Sequence, residues 1–203
     1  MSVGQVLHCP YDFDKARIIV WEMLELLSLD LVEKGLVTNQ IVLTIGYDIE
    51  NLTNPEISKY YSGEVKTDHY GRKIPKHAHG TANIDRQTSS TRLITDATLK
   101  LYDEIVDKKL LIRRVTIAAN NLVSEKSVED KQQYEQLDLF TDYNELLAKR
   151  EKENAELQKE RKIQEAMIDI KQRYGKNAII KGTNLQDGAT SIERNQQIGG
   201  HKA

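Results

Sequence analysis

The chain has 203 residues, and its 29 lysines and arginines nearly balance 31 aspartates and glutamates, so the formal net charge is -2. This length suits one domain with appendages or two small domains, and near-neutrality argues at first against a nucleic-acid-binding protein, which is usually basic. A single cysteine excludes an internal disulfide framework, and no apolar run is long enough to predict a transmembrane helix or a secretory signal. We therefore expect a soluble, cytoplasmic protein.

The first elements in chain order are an edge strand, a helix and a second strand. A short segment, residues 5–7, predicts the edge strand. Asp12 is a good N-cap, Gly35 stands where a helix commonly ends, and apolar residues recur between them at steps of three and four. Residues 40–49 then alternate between apolar and polar, which predicts a half-buried strand.

The next elements repeat this pattern. Residues 77–84 alternate, with His77, His79, Thr81 and Asn83 on one face of a predicted strand. The run 88–91 of serines and threonines offers N-caps for an amphipathic helix whose apolar face runs from Leu93 to Ile105, with Lys108 and Lys109 at its C-terminal end. A last, mostly apolar strand is predicted over residues 110–119.

The predicted order β-α-β-β-α-β defines an α+β fold. Two helices cover one face of a four-stranded antiparallel sheet, and the other face stays open to solvent. This domain spans residues 1–123. Residues 124–141 are predicted to be a linker, residues 142–174 a charged, solvent-exposed helix without a sustained heptad, and the glycine-rich residues 175–203 a weakly structured tail.

Opposed patches of charge make up the near-neutral total. Residues 1–56 carry a net charge of -6, whereas residues 57–92 carry +4. Cationic and hydroxyl side chains of this segment, together with a helix N-terminus at 88–92, are typical of a surface that binds phosphates. An ordinary solvated loop has the same composition.

Arg113 and Arg114 lie next to each other on the last predicted strand. On a regular strand they point to opposite faces, so only one can lie on the open face. The other must pair with an acid, extend to solvent or sit at a bulge.

The pentapeptide Gln136–Phe140 reads Gln-Leu-Asp-Leu-Phe and lies between the linker and the charged helix. An apolar motif on a tether suits docking into a groove, with Leu137, Leu139 and Phe140 as anchors and the Gln136 amide fixing the register. It resembles the bacterial sliding-clamp-binding motif. Alternatively, the apolar side chains cap the domain's own core.

Signals for catalysis are weak. His77 and His79 share a strand face and could bind a metal, but further ligands are scarce, so a metal-dependent enzyme is the weakest alternative. A glycine-rich phosphate loop, a nucleophile elbow and a supported Cys–His pair are all lacking in the sequence. We predict no catalytic residue, metal or cofactor for this chain.

Several stretches together resemble the C-terminal part of a Y-family DNA polymerase of the UmuC/DinB-like type. The stretches that carry the resemblance are residues 14–17, 40–47, 76–81, 88–91, 112–115, 136–140 and 198–203. The resemblance covers nearly the whole chain, and it implies the little-finger domain, which grips template-primer DNA by its backbone during translesion synthesis in DNA repair and the SOS response.

The resemblance also implies partners and site residues. The partners would be primer-template DNA, the bacterial sliding clamp and, less directly, a recombination protein. The clamp would contact Gln136, Leu137, Leu139 and Phe140. The candidates for phosphate contact are Lys73, Lys76, His77, His79, Thr81, Ser89, Ser90, Thr91, Arg92, and one or both of Arg113 and Arg114.

The catalytic part of such polymerases, which uses Mg²⁺ held by palm carboxylates, precedes the little finger. This chain starts at Met1, almost at its first predicted strand. We therefore expect a non-catalytic module that binds DNA and tethers to the clamp. The alternative is a protein–protein adaptor whose charged helix binds a repair or recombination partner without DNA, which would be favoured if the basic loop folded over the acidic first helix.

Overall fold

The computed structural model describes residues 1–59, 61–129, 143–198 and 201–202. The strands are β1 (Ser2–Tyr11), β2 (Leu36–Tyr47), β3 (Val65–Thr67), β4 (Lys73–Pro75), β5 (Ala78–Thr88), β6 (Ile112–Asn120), β7 (Val123–Ser124), β8 (Gln197–Ile198) and β9 (His201–Lys202). The helices are α1 (Phe13–Glu33), α2 (Glu50–Thr53), α3 (Pro55–Ser58), α4 (Thr91–Ile105), α5 (Glu125–Glu129), α6 (Tyr143–Tyr174) and α7 (Ser191–Asn195), with a 3-10 helix at Gly182–Leu185.

The main sheet is antiparallel, with the strand order β1-β6-β2-β5. These four strands are the predicted ones, so the predicted α+β architecture is confirmed. The strand count is wrong, because β7 pairs with the first residues of β2 as a fifth strand, and β3–β4 and β8–β9 form two separate ribbons. The predicted edge strand is also longer than expected, since β1 spans ten residues.

The core lies between the sheet and the helices α1 and α4, which pack on the same face. Ile19 and Met23 of α1 meet the buried strand residues Leu43 and Ile45, and none of the four is exposed. Tyr102 of α4 is fully buried, and its hydroxyl donates a 2.8 Å hydrogen bond to the carbonyl of the first residue of α1. This bond satisfies a polar group that burial would otherwise leave unpaired.

The predicted starts of α1 and α4 are confirmed, but α4 ends at Ile105, ahead of the two lysines expected at its C-terminal end. The Asp12 carboxylate accepts from the backbone N–H of Lys15, which caps α1, and Gly35 follows the helix with a φ of 61°. Ser90 caps α4 by accepting from the N–H of Leu93. The helix predicted over 142–174 is α6, but it is not wholly solvent-exposed, because Gln164 and Met167 are buried. The first residues of the predicted linker belong to β7 and α5.

The glycine-rich tail has more structure than its composition predicted. Glu22 of α1 is only 1 % exposed, and its carboxylate accepts from the backbone N–H groups of Thr190 and Ser191, where α7 begins. Lys181 lies 3.3 Å from Glu25, which is also buried. The tail is therefore held on the outer surface of α1. No helix in the described part of the chain is both long and apolar enough to span a bilayer.

Candidate nucleic-acid interface

The side of the main sheet that faces away from α1 and α4 carries small and polar side chains. We call this surface the open face. Its residues, strand by strand, are Ser2, Gly4 and Val6; Arg114, Thr116, Ala118 and Asn120; Gln40, Val42, Thr44 and Gly46; and His79, Thr81 and Asn83. Few of these side chains are bulky, so a flat, close approach by a phosphodiester backbone is sterically possible.

Hydrogen bonds across the strands hold polar groups of the open face in place. Thr44 Oγ1 and His79 Nδ1 are 2.9 Å apart across the β2–β5 pair. The Gln40 amide donates to Asn83 at 3.0 Å and accepts from Asn120 at 3.2 Å. These side chains are therefore oriented before any ligand binds, which lowers the entropic cost of a contact.

The two adjacent arginines of β6 separate at a bulge, one of the outcomes that the sequence left open: Arg114 lies opposite Gly46, but the next β2 residue, Tyr47, lies opposite Ile112, so Arg113 is the extra residue. Arg114 is exposed on the open face, opposite Gly46, and no acid in the described part of the chain forms an ion pair with it. Arg113 lies 3.5 Å from Asp48, a buried carboxylate at the end of β2. Arg114 is consequently the arginine available to a phosphate, while Arg113 neutralises a buried acid.

The β3–β4 ribbon carries the basic segment and leads into β5. Lys66 and Lys73 are exposed and, within the described chain, form no ion pair. Lys76 lies 2.8 Å from Glu64, and this hydrogen-bonded pairing raises the pKa of Lys76 and lowers that of Glu64. The predicted contacts Lys73 and Lys76 thus lie together, but Lys73 is the less engaged of the two.

His77 and His79 both lie on the open-face side at the start of β5, with ring centroids 6.2 Å apart. Burial lowers the pKa of His77, and the nearby Lys66, His79 and Lys76 lower it further, so the ring is mostly neutral at pH 7. Among the described residues, no group of three or more His, Cys, Asp or Glu side chains could hold a metal. Within the described chain, the fold therefore brings no third ligand to His77 and His79, the two residues on which the metal hypothesis rested.

The remaining predicted phosphate contacts lie at the N-terminus of α4, beneath α6. We call Ser89, Ser90, Thr91 and Arg92 the covered edge; the first three are only 6–7 % exposed. The Glu160 carboxylate of α6 accepts from Ser90 Oγ at 2.5 Å and from the backbone N–H of Arg92 at 2.9 Å. A carboxylate of the same chain thus uses the free N–H and hydroxyl groups predicted to meet a phosphate.

Other side chains of α6 complete this contact. The buried Gln164 donates to Ser89 O and to Thr91 Oγ1, both at 2.9 Å. Arg161 donates to Ser89 Oγ at 3.1 Å and lies 2.8 Å from Glu125 of α5. With α6 docked, the covered edge is not part of the open face, and DNA contact there stays a prediction that would require α6 to leave.

The outcome for the predicted site residues is mixed. The open face and the adjoining ribbon bring together Lys73, Lys76, His77, His79, Thr81 and Arg114. The clamp-binding pentapeptide Gln136–Phe140 lies outside the described residues. Sequence reasoning missed two residues of the open face: Thr116, which lies opposite Thr44, and Gly4, which lies on the other side of Thr116, although the period of two on β1 and β6 carried that signal.

A comparison with protein families decides what this architecture belongs to. The model of the impB/mucB/samB family C-terminal domain matches residues 2–139, well over half of the chain. The chain belongs to this family. It is therefore the C-terminal region of a Y-family polymerase, as the sequence resemblance implied, and the themes of DNA repair and translesion synthesis follow from that membership. A search of curated proteins found no significant match.

The family match also divides the molecule. The main sheet, α1, α4 and the β3–β4 ribbon lie within the matched residues, whereas α6, α7 and the rest of the tail lie beyond them. The open face thus lies within the matched residues. The helix that covers the start of α4 lies outside them.

Proposed function

We propose that this Y-family C-terminal domain binds the backbone of primer-template DNA on its open face and tethers the chain to a sliding clamp. The observation that carries the first half is the exposed Arg114 among small, pre-oriented polar side chains, beside the basic β3–β4 ribbon. Backbone contacts of this kind are independent of sequence and sensitive to salt.

The mechanism is physical and involves no bond making by the described residues. Arg114 and Lys73 supply fixed charges to phosphates, and Thr81 and His79 supply short hydrogen-bonding groups close to the sheet. The clamp half rests on the pentapeptide Gln136–Phe140. Two weak attachments to one DNA–clamp assembly raise the effective concentration of each for the other and prolong residence.

Fluorescence anisotropy of a labelled primer-template duplex tests the DNA half. We expect the affinity of the full chain to fall steeply as salt rises from about 50 to about 200 mM. Arg114→Ala should weaken binding about fivefold and reduce the salt slope by about one. Arg173→Ala is the matched control, since Arg173 is exposed on α6 away from the sheet. Binding that ignores salt, or equal losses in the two variants, would contradict the proposal.

A calorimetric titration against a bacterial sliding clamp tests the tethering half. The double variant Leu139→Ala/Phe140→Ala removes both apolar anchors and should lower affinity by about tenfold or more. Leu185→Ala serves as control, because Leu185 is an exposed leucine in the tail. Unchanged clamp affinity in the double variant would remove this half and leave the DNA half standing.

The adaptor hypothesis gains no specific support. The basic ribbon has α2 and the end of β2 as neighbours, and its lysines Lys66 and Lys73 remain exposed. A cationic surface therefore persists beside the open face, whereas a basic loop folded over α1 would have favoured the adaptor hypothesis.

A further inference from the structure

The tip of the β3–β4 ribbon presents an aromatic ring to solvent. Tyr70 is 79 % exposed, the most exposed of the large hydrophobic side chains in the described chain. The Arg72 guanidinium lies over its ring, 5.2 Å from the centroid, and the His69 ring meets it edge-on at 5.5 Å. An exposed aromatic ring with a cation beside it is the composition of a base-stacking platform.

The turn that carries Tyr70 is fixed rather than loose. Asp68 Oδ1 accepts from the backbone N–H groups of Tyr70 and Arg72 at 2.9 and 2.8 Å, and its Oδ2 accepts from Arg72 Nε at 2.7 Å. Gly71 adopts a φ of 78°, which side-chain-bearing residues rarely adopt, and so allows the tight reversal. The ring is therefore held in position at little further entropic cost.

Charge on the ribbon selects a polyanion as the partner. Lys66 pairs in register with Ile74, and Lys73 with Thr67, so the two lysines lie on opposite faces of the ribbon. Both are exposed and without an ion pair among the described residues. An apolar protein partner would gain nothing from these two charges, whereas a nucleic-acid backbone passing the ribbon meets one on either face.

We propose that the ribbon tip binds single-stranded nucleic acid, with one unpaired base stacked on Tyr70 and the flanking phosphates close to Lys66 and Lys73. The base must be unpaired, because bases inside a duplex already use both faces for stacking. This inference rests on the proposed function and extends it: the open face would hold the duplex, and the ribbon would hold the single strand that leaves it.

Two probes separate stacking from charge: an oligothymidylate, and an oligonucleotide of the same length whose sites are abasic. They carry the same phosphates, and only the first offers bases. We expect Tyr70→Ala to weaken binding of the oligothymidylate about fivefold or more and to leave the abasic probe unchanged. Tyr70→Phe should retain most of the affinity because the ring remains. Lys66→Ala/Lys73→Ala should weaken binding of both probes.

Tyr174→Ala is the matched control, since Tyr174 is a similarly exposed tyrosine at the end of α6. Equal effects of Tyr70→Ala on the two probes, or none on either, would overturn the inference. The duplex titration with Arg114→Ala is read separately: if it behaves as expected while Tyr70→Ala has no effect, only the inference fails. If the duplex does not bind at all while Tyr70→Ala acts on the base-bearing probe alone, only the open-face proposal fails.

Discussion

The open face and the covered edge carry similar side chains and differ in what lies on them. Thr44, Thr81 and Arg114 are available on the sheet, whereas Ser90, Thr91 and the backbone of Arg92 bond to α6. Hydroxyl and guanidinium groups suit a phosphate in both places. A composition suited to phosphate therefore leaves a surface free for a ligand only where no other part of the chain already bonds to the same groups.

Substitutions in the two regions should affect different properties: folding stability in the covered edge and ligand affinity on the open face. Substitutions in the covered edge remove buried hydrogen bonds, so they should act on folding and on the docking of α6. Substitutions on the open face remove groups that water already solvates, and these usually change stability little. They should act on ligand affinity instead.

The largest effect is expected at Gln164. Gln164→Ala removes two hydrogen bonds and leaves Ser89 O and Thr91 Oγ1 without those donors at a buried site. We expect the docking of α6 to weaken by about 2 kcal/mol, since unpaired buried polar groups cost about 1–3 kcal/mol each. Amide hydrogen exchange at Arg92 reports the loss, because this N–H is bonded to Glu160. Gln158→Ala, at an exposed position of α6, should change nothing.

Two results would contradict separate roles for the open face and the covered edge. If exchange at Arg92 is unaltered in Gln164→Ala, the contact of α6 with the covered edge contributes no docking energy. If duplex affinity falls in the same variant as far as it does in Arg114→Ala, the two regions do not have separate roles.

Much of the fold could be predicted from the sequence because its signals are local. Alternation of residue types predicted β2 and β5, an apolar run predicted β6, and short-range capping by Asp12 and Ser90 gave the starts of α1 and α4, whereas most of the ten-residue β1 was missed. For the adjacent arginines, the sequence offered a bulge or an acid partner for one of the two, and Arg113 has both, since the β2–β6 register shifts beside it and Asp48 lies 3.5 Å away. The exposed half of the candidate site was therefore within reach of sequence reasoning.

The burial of the covered edge could not be predicted from the sequence, because its partners are polar residues that lie far away along the chain. Gln164 and Glu160 reach residues about 70 positions earlier, and a buried glutamine leaves no trace in a hydrophobic pattern. Glu22 is similar, since its carboxylate meets α7 from 168 positions away. In the sequence it counted simply as one more acid of the first segment. The type of a polar residue does not indicate whether a tertiary contact buries it or water solvates it.

An intermediate effect is expected at Glu160, whose carboxylate accepts from Ser90 Oγ and from the backbone N–H of Arg92. Glu160→Gln keeps the shape but loses the charge and one acceptor, so we expect docking of α6 to weaken by about 1 kcal/mol. Duplex affinity should stay within about twofold, because distant sites act independently. Glu156→Gln is the control, since Glu156 lies 3.9 Å from Arg92 at the exposed rim. A gain in duplex affinity of tenfold or more, seen only for Glu160→Gln, would show that the covered edge binds phosphate once α6 is displaced.

The smallest effect concerns the pH dependence of DNA binding through His77. Burial and the neighbouring Lys66, His79 and Lys76 lower the pKa of this imidazole in the free domain. A phosphate close to the ring would raise that pKa, so binding takes up a proton and affinity should rise as pH falls from about 7.5 to about 5.5. The rise should be at most a few-fold and should disappear in His77→Gln. Titrations of one duplex at constant ionic strength measure it. A pH dependence that persists in His77→Gln would assign the proton to another group, and affinity that falls with pH would place His77 away from phosphate.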